Sequence, residues 1–216
     1  INEYLIKSNS IADVTILVSE WLKNLYTDEG INKRNLHTIM AGANREYFNP
    51  ESLKVWDKSE KLKIVTHHWG TNKNKGFEIY EYIDELISTN PWKDMIEFTF
   101  IGNLPKNYKL RNSKVIKPLY GKELGNELKK NHIYITGSLF EPSGNHHIEA
   151  AQCGLPILYI DSGGTSEYCK NFGIEYTIDN LEEKIALFME NSTKYYEIMQ
   201  YYPNDSKVMS KEFLEL

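Results

Sequence analysis

The stretch from Phe140 to Gly154, FEPSGNHHIEAAQCG, holds two glutamates on either side of a glycine, and it decides the fold. It overlaps the end of the apolar run 132–140, HIYITGSLF, which is typical of a buried strand. Glu141 therefore comes at the carboxyl end of a predicted strand. Ligands of open α/β sheets bind at that end. We expect Glu141 to lie in a ligand-binding cleft.

A helix is predicted directly after this glutamate. Pro142, Ser143 and Gly144 form a turn, and the missing side chain of Gly144 lets backbone N–H groups approach a bound phosphate. Residues 145–153 then form a helix that Gly154 ends. The unpaired amides of a first helical turn carry about half a positive charge, and they favour anions.

The second glutamate, Glu149, is four residues past Asn145 and lies one turn deeper on the same helical face. A carboxylate beside a phosphate is unfavourable unless it accepts hydrogen bonds, and the vicinal hydroxyls of a ribose would donate them. The residues therefore predict a receptor for a nucleotide diphosphate joined to a polyhydroxylated group.

Strand-like and helix-like segments alternate regularly from Leu62 onward. In order they are the strand KIVTHH, the loop WGTNKNKG, the helix FEIYEYIDELIST, the strands IEFTFIG and SKVIKPL, the helix GKELGNELKKN, the strand HIYITGSLF, the helix after Gly144, the strand LPILYID, the helix TSEYCKNF and the strand IEYTI. This alternation predicts an α/β fold, with a mostly parallel, Rossmann-like sheet and helices on both faces.

The two ends of the chain have their own patterns. Before the sheet we expect a strand over 13–19, a helix over 20–29, a short strand over 36–40, and a turn-rich linker over 41–50 with Phe48 as its packing anchor. The tail from Asn180 is helical and amphipathic, with a break near Pro203.

Length and composition exclude several classes of protein. A chain of 216 residues is one large domain, or a domain plus part of another; because it starts at Ile1, we expect a piece of a longer protein. A net charge of −5 without a basic stripe argues against a nucleic-acid partner. No apolar run approaches the roughly 20 residues of a membrane span, and no signal peptide is visible. With two cysteines, we expect a cytoplasmic protein whose membrane contact, if any, is peripheral at the inner face.

These motifs resemble a known family. EPSGNHHIE matches the Glu, seven residues, Glu signature of retaining glycosyltransferases of the GT-B fold, especially family 4. AAQCGLPILYIDSGGTSEY is similar to that family's continuation, and VTILVSEWLKNLYTDEGINKRNLHTIMAGANREYFNP resembles its crossing between two domains. The resemblance covers nearly the whole chain. It implies a remnant of the acceptor-side domain and a linker over 1–50, a nucleotide-sugar-binding domain over 51–190 and a helical tail over 191–216.

The resemblance also implies a role for individual residues. Glu141 would contact the donor sugar and Glu149 the ribose, while Lys75 would neutralise the leaving phosphate. The remaining implied donor contacts are the amides at Gly144, Asn145 and His146, and the turn residues Gly163, Gly164 and Glu167. The family's usual arginine is missing from the loop HHWGTNK, which contains Gly70, so Lys73 or His68 is expected to replace it.

The implied reaction is transfer of a hexose from a UDP-sugar or GDP-sugar with retention of configuration, and no protein nucleophile is evident. The base would lie near 101–104 and 116–120. The acceptor, a glycan, a lipid or a small molecule, stays open, and most of its domain is expected to be missing, so that the fragment alone would have weak activity or none.

Other interpretations remain open. The chain could be a non-catalytic nucleotide-binding module, Lys75 a solvated loop lysine, and the glycine pair only a tight turn. His67, His68, His146 and His147 could be imagined with Glu149 as a metal site of a hydrolase. Neighbouring strand residues point to opposite faces, however, and HExxH and Asp-x-Asp motifs are absent. We therefore expect neither a metal nor a cofactor, with His146 near the diphosphate and His147 structural.

Overall fold

Eight strands and nine α-helices lie within residues 3–216, which are the residues that the computed structural model of the protein describes. The strands are β1 (Thr15–Leu17), β2 (Leu36–Thr38), β3 (Leu62–His68), β4 (Ile96–Gly102), β5 (Lys114–Ile116), β6 (Ile133–Thr136), β7 (Ile157–Tyr159) and β8 (Gly173–Glu175). The helices are α1 (Glu3–Ile11), α2 (Glu20–Asp28), α3 (Phe77–Leu86), α4 (Trp92–Met95), α5 (Gly121–Leu128), α6 (Asn145–Gln152), α7 (Thr165–Cys169), α8 (Leu181–Met199) and α9 (Ser206–Leu214).

Six strands form one sheet in the order β5-β4-β3-β6-β7-β8, and each neighbouring pair is parallel. After β5 the chain crosses over β4 and β3 and continues on the far side of β3. The strand order therefore reverses between β3 and β6. A crevice outside the carboxyl ends of two such strands is where open α/β sheets bind ligands.

The core lies on both faces of this sheet. Ile64 of β3 packs in one cluster with residues of α3 and α8, such as Tyr80 and Phe188. The next residue, Val65, packs on the other face in a cluster that includes Leu128 of α5 and Ile148 of α6. Both faces of the central strand are thus buried, which explains its nearly continuous apolar sequence. The prediction of a Rossmann-like parallel sheet with helices on both faces is confirmed.

The predicted end of β6 was wrong. The run 132–140 was predicted as a single strand, but β6 ends at Thr136. Beyond it the backbone leaves the sheet: Leu139 N donates to Asn74 O at 2.7 Å, and Phe140 N donates to Ser162 Oγ at 2.9 Å. Leu139 and Phe140 are exposed, and Phe140 has a left-handed φ of 52°. Glu141 therefore lies in a loop five residues past β6, rather than at the strand end.

The segment before the sheet forms a separate β1–α2–β2 unit. β1 and β2 are a parallel pair, with Thr15 opposite Leu36, and α2 connects them. The predicted strands and helix of this unit are confirmed, with shorter strands. Phe48 of the linker is 5% exposed and packs in the main core, as predicted.

The tail folds back on the linker. Ala43 N donates to Asn204 O at 3.0 Å, and Arg45 forms an ion pair with Asp205 at 2.9 Å. The predicted break lies between α8 and α9, where Pro203 stands. The division at 190/191 stays a prediction; it falls inside α8, beside the non-helical residue Asn191.

Two helices, α1 and α4, were not predicted. Helix α4 is a single turn, and α1 leaves Tyr4 and Ile11 exposed, so neither has the apolar stripe by which a helix is recognised in a sequence. Within residues 3–216, no helix has both the length and the apolar character that crossing a membrane requires.

Candidate functional site

A cavity of about 260 Å³ opens beyond the carboxyl ends of β3 and β6. It is lined by His68, Trp69, Gly70, Lys75, Glu141, Ser143, Gly144, Asn145 and His146. Seven of these residues are among the predicted site residues, and they come from the end of β3 and the loop after it, the loop after β6 and the start of α6. The reversal of strand order has therefore brought together residues that are about 70 positions apart in the chain.

An ion pair spans the cavity wall. Lys75 Nζ lies 2.5 Å from Glu141 Oε2, and both side chains are mostly buried, with exposures of 22% and 15%. Lys75 ends a short 3-10 turn after β3, and Gly76 follows it. Charge-assisted bonds of this kind are short and strong, so each side chain holds the other toward the cavity.

The α6 N-terminus forms the floor of the cavity. Gly144 precedes the helix with a φ of +75°, and a Cβ atom there would overlap the ring of His147. No side chain within the described chain caps this helix, and its first intrahelical bond is donated by His147 N. The backbone at Asn145 and His146 therefore lies where an anion would approach.

Glu149 lies one turn further along α6, is not among the residues that line the cavity, and is bonded to a histidine. Its Oε2 atom is 2.9 Å from Nε2 of His67, whose side chain is 3% exposed, against 25% for Glu149. Sequence reasoning assigned His67 no part in the site except in the rejected metal hypothesis. The signal that could have found it is its position next to His68 at the end of the central strand, beside the switch point.

The other three histidines near the cavity, His68, His146 and His147, are buried and neutral. His68 Nε2 bonds Tyr80 Oη at 2.5 Å, and His146 Nε2 bonds Thr136 Oγ1 at 2.9 Å. Burial lowers the pKa of His68 and of His146 well below the ordinary value, and it lowers the pKa of His147 to about 3. Among residues 3–216, no three His, Cys, Asp or Glu residues are grouped in a way that could hold a metal ion.

The expected substitutes for the missing arginine do not add a charge to the cavity. Lys73 is exposed and is not part of the cavity lining. His68 lines the cavity, but as a buried neutral imidazole it can only form hydrogen bonds. Of the residues that line the cavity in the described chain, Lys75 is the one lysine or arginine.

The glycine turn after β7, Gly163 and Gly164, contacts the backbone of Glu141. Gly163 forms an isolated parallel bridge with Glu141, and Gly164 N donates to Glu141 O at 2.8 Å. Gly163 has a φ of +69°, and a Cβ atom there would lie 2.5 Å from the Glu141 carbonyl oxygen. Neither glycine lines the cavity, so in this structure both contact the Glu141 backbone instead.

Glu167 is not part of the cavity lining. Its two carboxylate oxygens accept bonds from the backbone amides of Glu20 and Trp21 at 2.8 and 2.7 Å. These amides belong to the first turn of α2, so the Glu167 carboxylate forms hydrogen bonds with the β1–α2–β2 unit.

An aromatic pair stands at the rim. Trp69 and Tyr120 stack with ring centroids 3.9 Å apart and an interplanar angle of 25°. Trp69 lines the cavity, and Asn103 Nδ2 donates to its carbonyl oxygen at 3.1 Å. Tyr120 belongs to the segment expected near the base, whereas Trp69 was not singled out from the sequence.

The family of the chain follows from its sequence. The family model of glycosyl transferases group 1 matches residues 93–205, which is 113 of the 216 residues. The chain belongs to this family. No curated protein matches this group 1 chain.

Solved structures show the same fold for this glycosyl transferases group 1 chain. Anabaena Alr3699/HepE in complex with UDP and glucose is 16% identical with a TM-score of 0.79, and the match covers 98% of this chain and 65% of that protein. Sucrose-phosphate synthase from Thermosynechococcus elongatus is 15% identical with a TM-score of 0.72, covering 99% and 61%. A glycosyltransferase from Rickettsia africae is 16% identical with a TM-score of 0.74, covering 100% and 66%.

These similarities establish a fold of the kind found in GT-B glycosyltransferase domains. The chain spans between 61% and 66% of the length of these three proteins. At such low identities the comparison shows the fold alone.

Proposed function

We propose that this chain is the donor-binding portion of a retaining, family 4-like glycosyltransferase that moves a sugar from a nucleotide-diphosphate sugar to an acceptor. The observation that carries the proposal is the Lys75–Glu141 ion pair above the N-terminus of α6. It puts one cation, one carboxylate and an anion-binding helix end in a single cavity at the topological switch point.

The diphosphate would lie between Lys75 and the backbone of Asn145 and His146. Cleavage of the bond between sugar and phosphate builds negative charge on the leaving diphosphate. Fixed donors that face this charge stabilise it without reorganisation. No step in this scheme needs a metal, and we propose that the reaction is metal-independent and uses no cofactor.

The two glutamates would bind different parts of the donor. Glu149, deeper on α6 and held by His67, would accept bonds from the ribose hydroxyls. Glu141, at the open side and paired with Lys75, would contact hydroxyls of the sugar. A carboxylate near the anomeric carbon also favours the positive charge that develops there in the transition state.

UDP-sugars are the first donors to test, with GDP-sugars second. HepE was solved in complex with UDP and with UDP-glucose, and this chain has the same fold at 16% identity. The acceptor is a glycan, a lipid or a small molecule that the rest of a longer enzyme would bind, at the cytoplasmic side and with peripheral membrane contact at most.

Calorimetric titration with UDP, GDP and ADP, each with and without an attached sugar, tests the donor assignment. We expect micromolar to millimolar binding of one nucleotide sugar. A chain that binds none of them contradicts the proposal. If the nucleotide and its sugar form bind equally well, and Glu141→Gln changes neither affinity, the non-catalytic nucleotide module is the better description.

Lys75→Ala tests the phosphate contact. A charge-assisted bond contributes about 1.5 to 3 kcal/mol, so removing it should weaken binding of the preferred nucleotide sugar about ten- to a hundredfold. The matched control is Lys122→Ala, which removes an exposed lysine of α5. Equal affinity of the Lys75→Ala variant and the parent would show that the diphosphate lies elsewhere.

A further inference from the structure

Glu167 makes a contact whose partners are almost 150 residues away in sequence. Its Oε2 atom accepts a bond from Glu20 N and its Oε1 atom accepts one from Trp21 N. Both amides belong to the first turn of α2, in the β1–α2–β2 unit, while Glu167 lies on α7 beside the sheet. The carboxylate therefore connects the two parts of the molecule.

This contact contributes to the cap of α2. The first four N–H groups of a helix lack partners within the helix. Here the side chain of Ser19 accepts from Leu22 N at 3.2 Å, and the regular helical bonds begin with Lys23 N, which donates to Ser19 O at 3.1 Å. Glu167 accepts from the two amides between Ser19 and Leu22, and its negative charge faces the positive end of the helix dipole.

Ser19, the N-cap residue of α2, also packs against the glycine turn that contacts Glu141. A Cβ atom at Gly164 would lie 2.7 Å from Ser19 Oγ, so the turn and the cap of α2 are packed without space between them. Gly164 N in turn holds Glu141 O. A continuous path of contacts thus runs from α2 through Glu167 and Gly164 to the cavity glutamate.

We propose that Glu167 is a positioning residue, which docks the first turn of α2 onto the glycine turn and thereby fixes Glu141 in the donor cavity. Donor affinity then depends on whether the β1–α2–β2 unit is docked. This inference rests on the proposed function of the cavity, but it differs from the sequence prediction for Glu167, which was direct donor contact.

The test uses two variants that remove the same bond from opposite sides. Glu167→Gln replaces one acceptor oxygen by an amide nitrogen. Glu20→Pro removes the N–H group that Glu167 Oε2 accepts, and proline suits the first position of a helix. Ser19, the residue before it, is already extended at φ −159° and ψ 154°, as a residue before proline must be. Glu20→Ala keeps the N–H group and is the matched control.

The measurement is the dissociation constant of the preferred nucleotide sugar for the parent, the three single variants and the Glu167→Gln/Glu20→Pro double variant. We expect Glu167→Gln and Glu20→Pro each to weaken binding about three- to tenfold, a coupling of the size common between distinct sites. The double variant should bind the nucleotide sugar no more weakly than the single variant that has the lower affinity. Glu20→Ala should bind it as the parent does.

Two results would overturn the inference. If Glu167→Gln weakens binding and Glu20→Pro does not, Glu167 contacts the donor directly. If both variants lower the melting temperature and leave the dissociation constant unchanged, the contact is structural only.

Failure of the proposed function is visible separately. If the parent chain binds no nucleotide sugar, that function and the positioning role fail together. The contact between Glu167 and the first turn of α2 is then judged from the free energies of unfolding of the same variants. Losses that add up in the double variant would show that the two groups do not interact.

Discussion

His67 holds the carboxylate of Glu149 in place through a bond of 2.9 Å from an almost fully buried ring. A buried partner removes the rotational freedom that a free glutamate would lose on binding. The proposed ribose contact of Glu149 therefore depends on His67 as well. The sequence distance between the two, 82 residues, is why reasoning on local motifs did not pair them.

The change His67→Leu tests this dependence, because leucine cannot form a hydrogen bond with Glu149. A typical hydrogen bond contributes about 0.5 to 1.5 kcal/mol, so we expect the affinity for UDP or the preferred nucleotide to fall about two- to tenfold. Calorimetric titration measures it, with His37→Leu, at an exposed histidine of β2, as the control. An unchanged affinity would show that Glu149 does not need this partner.

Four other histidines predict how stability changes with pH. Burial lowers the pKa of His132 to about 4 and that of His147 to about 3, and it holds the pKa values of His68 and His146 well below the ordinary 6.5. These rings stay neutral when folded and become charged when unfolded. Their contribution to stability is therefore complete above pH 6.5 and is lost as the pH falls below it.

Urea unfolding between pH 6.5 and about 5.5 measures this loss, because ordinary glutamates, with pKa values of about 4.3, stay almost fully ionised in that window. Each of the four rings should lower the free energy of unfolding by up to about 1.4 kcal/mol per pH unit. His132→Asn retains an acceptor for the amide of Lys63, which His132 Nδ1 now accepts, and should reduce the slope. A slope equal to that of the parent would contradict the assignment of His132.

At the scale of elements, the amphipathic and buried segments were predictable and the loops between them were not. The start of α6 at Asn145 follows from a glycine with positive φ, and β3 from an apolar run buried on both faces. The end of β6 was not predictable in this way. Leu139 and Phe140 look like strand residues, but their amides bond Asn74 and Ser162 from distant loops. The contact between Glu167 and α2 was hidden for the same reason.

The glycine turn gives a prediction at this scale. Gly163→Ala would add a Cβ atom 2.5 Å from Glu141 O, so the loop that carries Glu141 must move. Gly30→Ala is the control, because Gly30 also has a positive φ, +99°, but has no atom within 4 Å of the added group. Both changes should lower the free energy of unfolding by about 1 to 2 kcal/mol through backbone strain.

Only Gly163→Ala should also weaken nucleotide-sugar binding, which titration of the two folded variants would measure. Equal affinities for both would mean that Glu141 is positioned without the turn.

At the scale of the whole molecule, a buried tyrosine gives a second link between the β1–α2–β2 unit and the sheet. The hydroxyl of Tyr168 donates to Val18 O and accepts from Ala41 N. The ring is 1% exposed, on α7 next to Glu167. The β1–α2–β2 unit and the sheet are therefore joined by hydrogen bonds to backbone groups. Such bonds do not depend on the side chains of α2.

Tyr168→Phe should loosen this joint. We expect faster hydrogen exchange of the backbone amides in β1 and α2, by about two- to tenfold, with unchanged exchange in β3 and β6. Tyr202→Phe is the control, because the Tyr202 hydroxyl is buried and has no hydrogen-bond partner within the described chain. Faster exchange throughout the sheet would instead indicate global destabilisation.

The reversal of strand order between β3 and β6 also has a consequence for the time course of folding. Lys75 leaves the ribosome 66 residues before Glu141, and the glycine turn that holds Glu141 follows later still. The cavity cannot close while only the first half of the sheet has been synthesised. Pairings between such distant segments must overcome a large loss of chain entropy. They therefore slow folding. We therefore expect the cavity to become ordered later than the local packing of β3, α3 and β4.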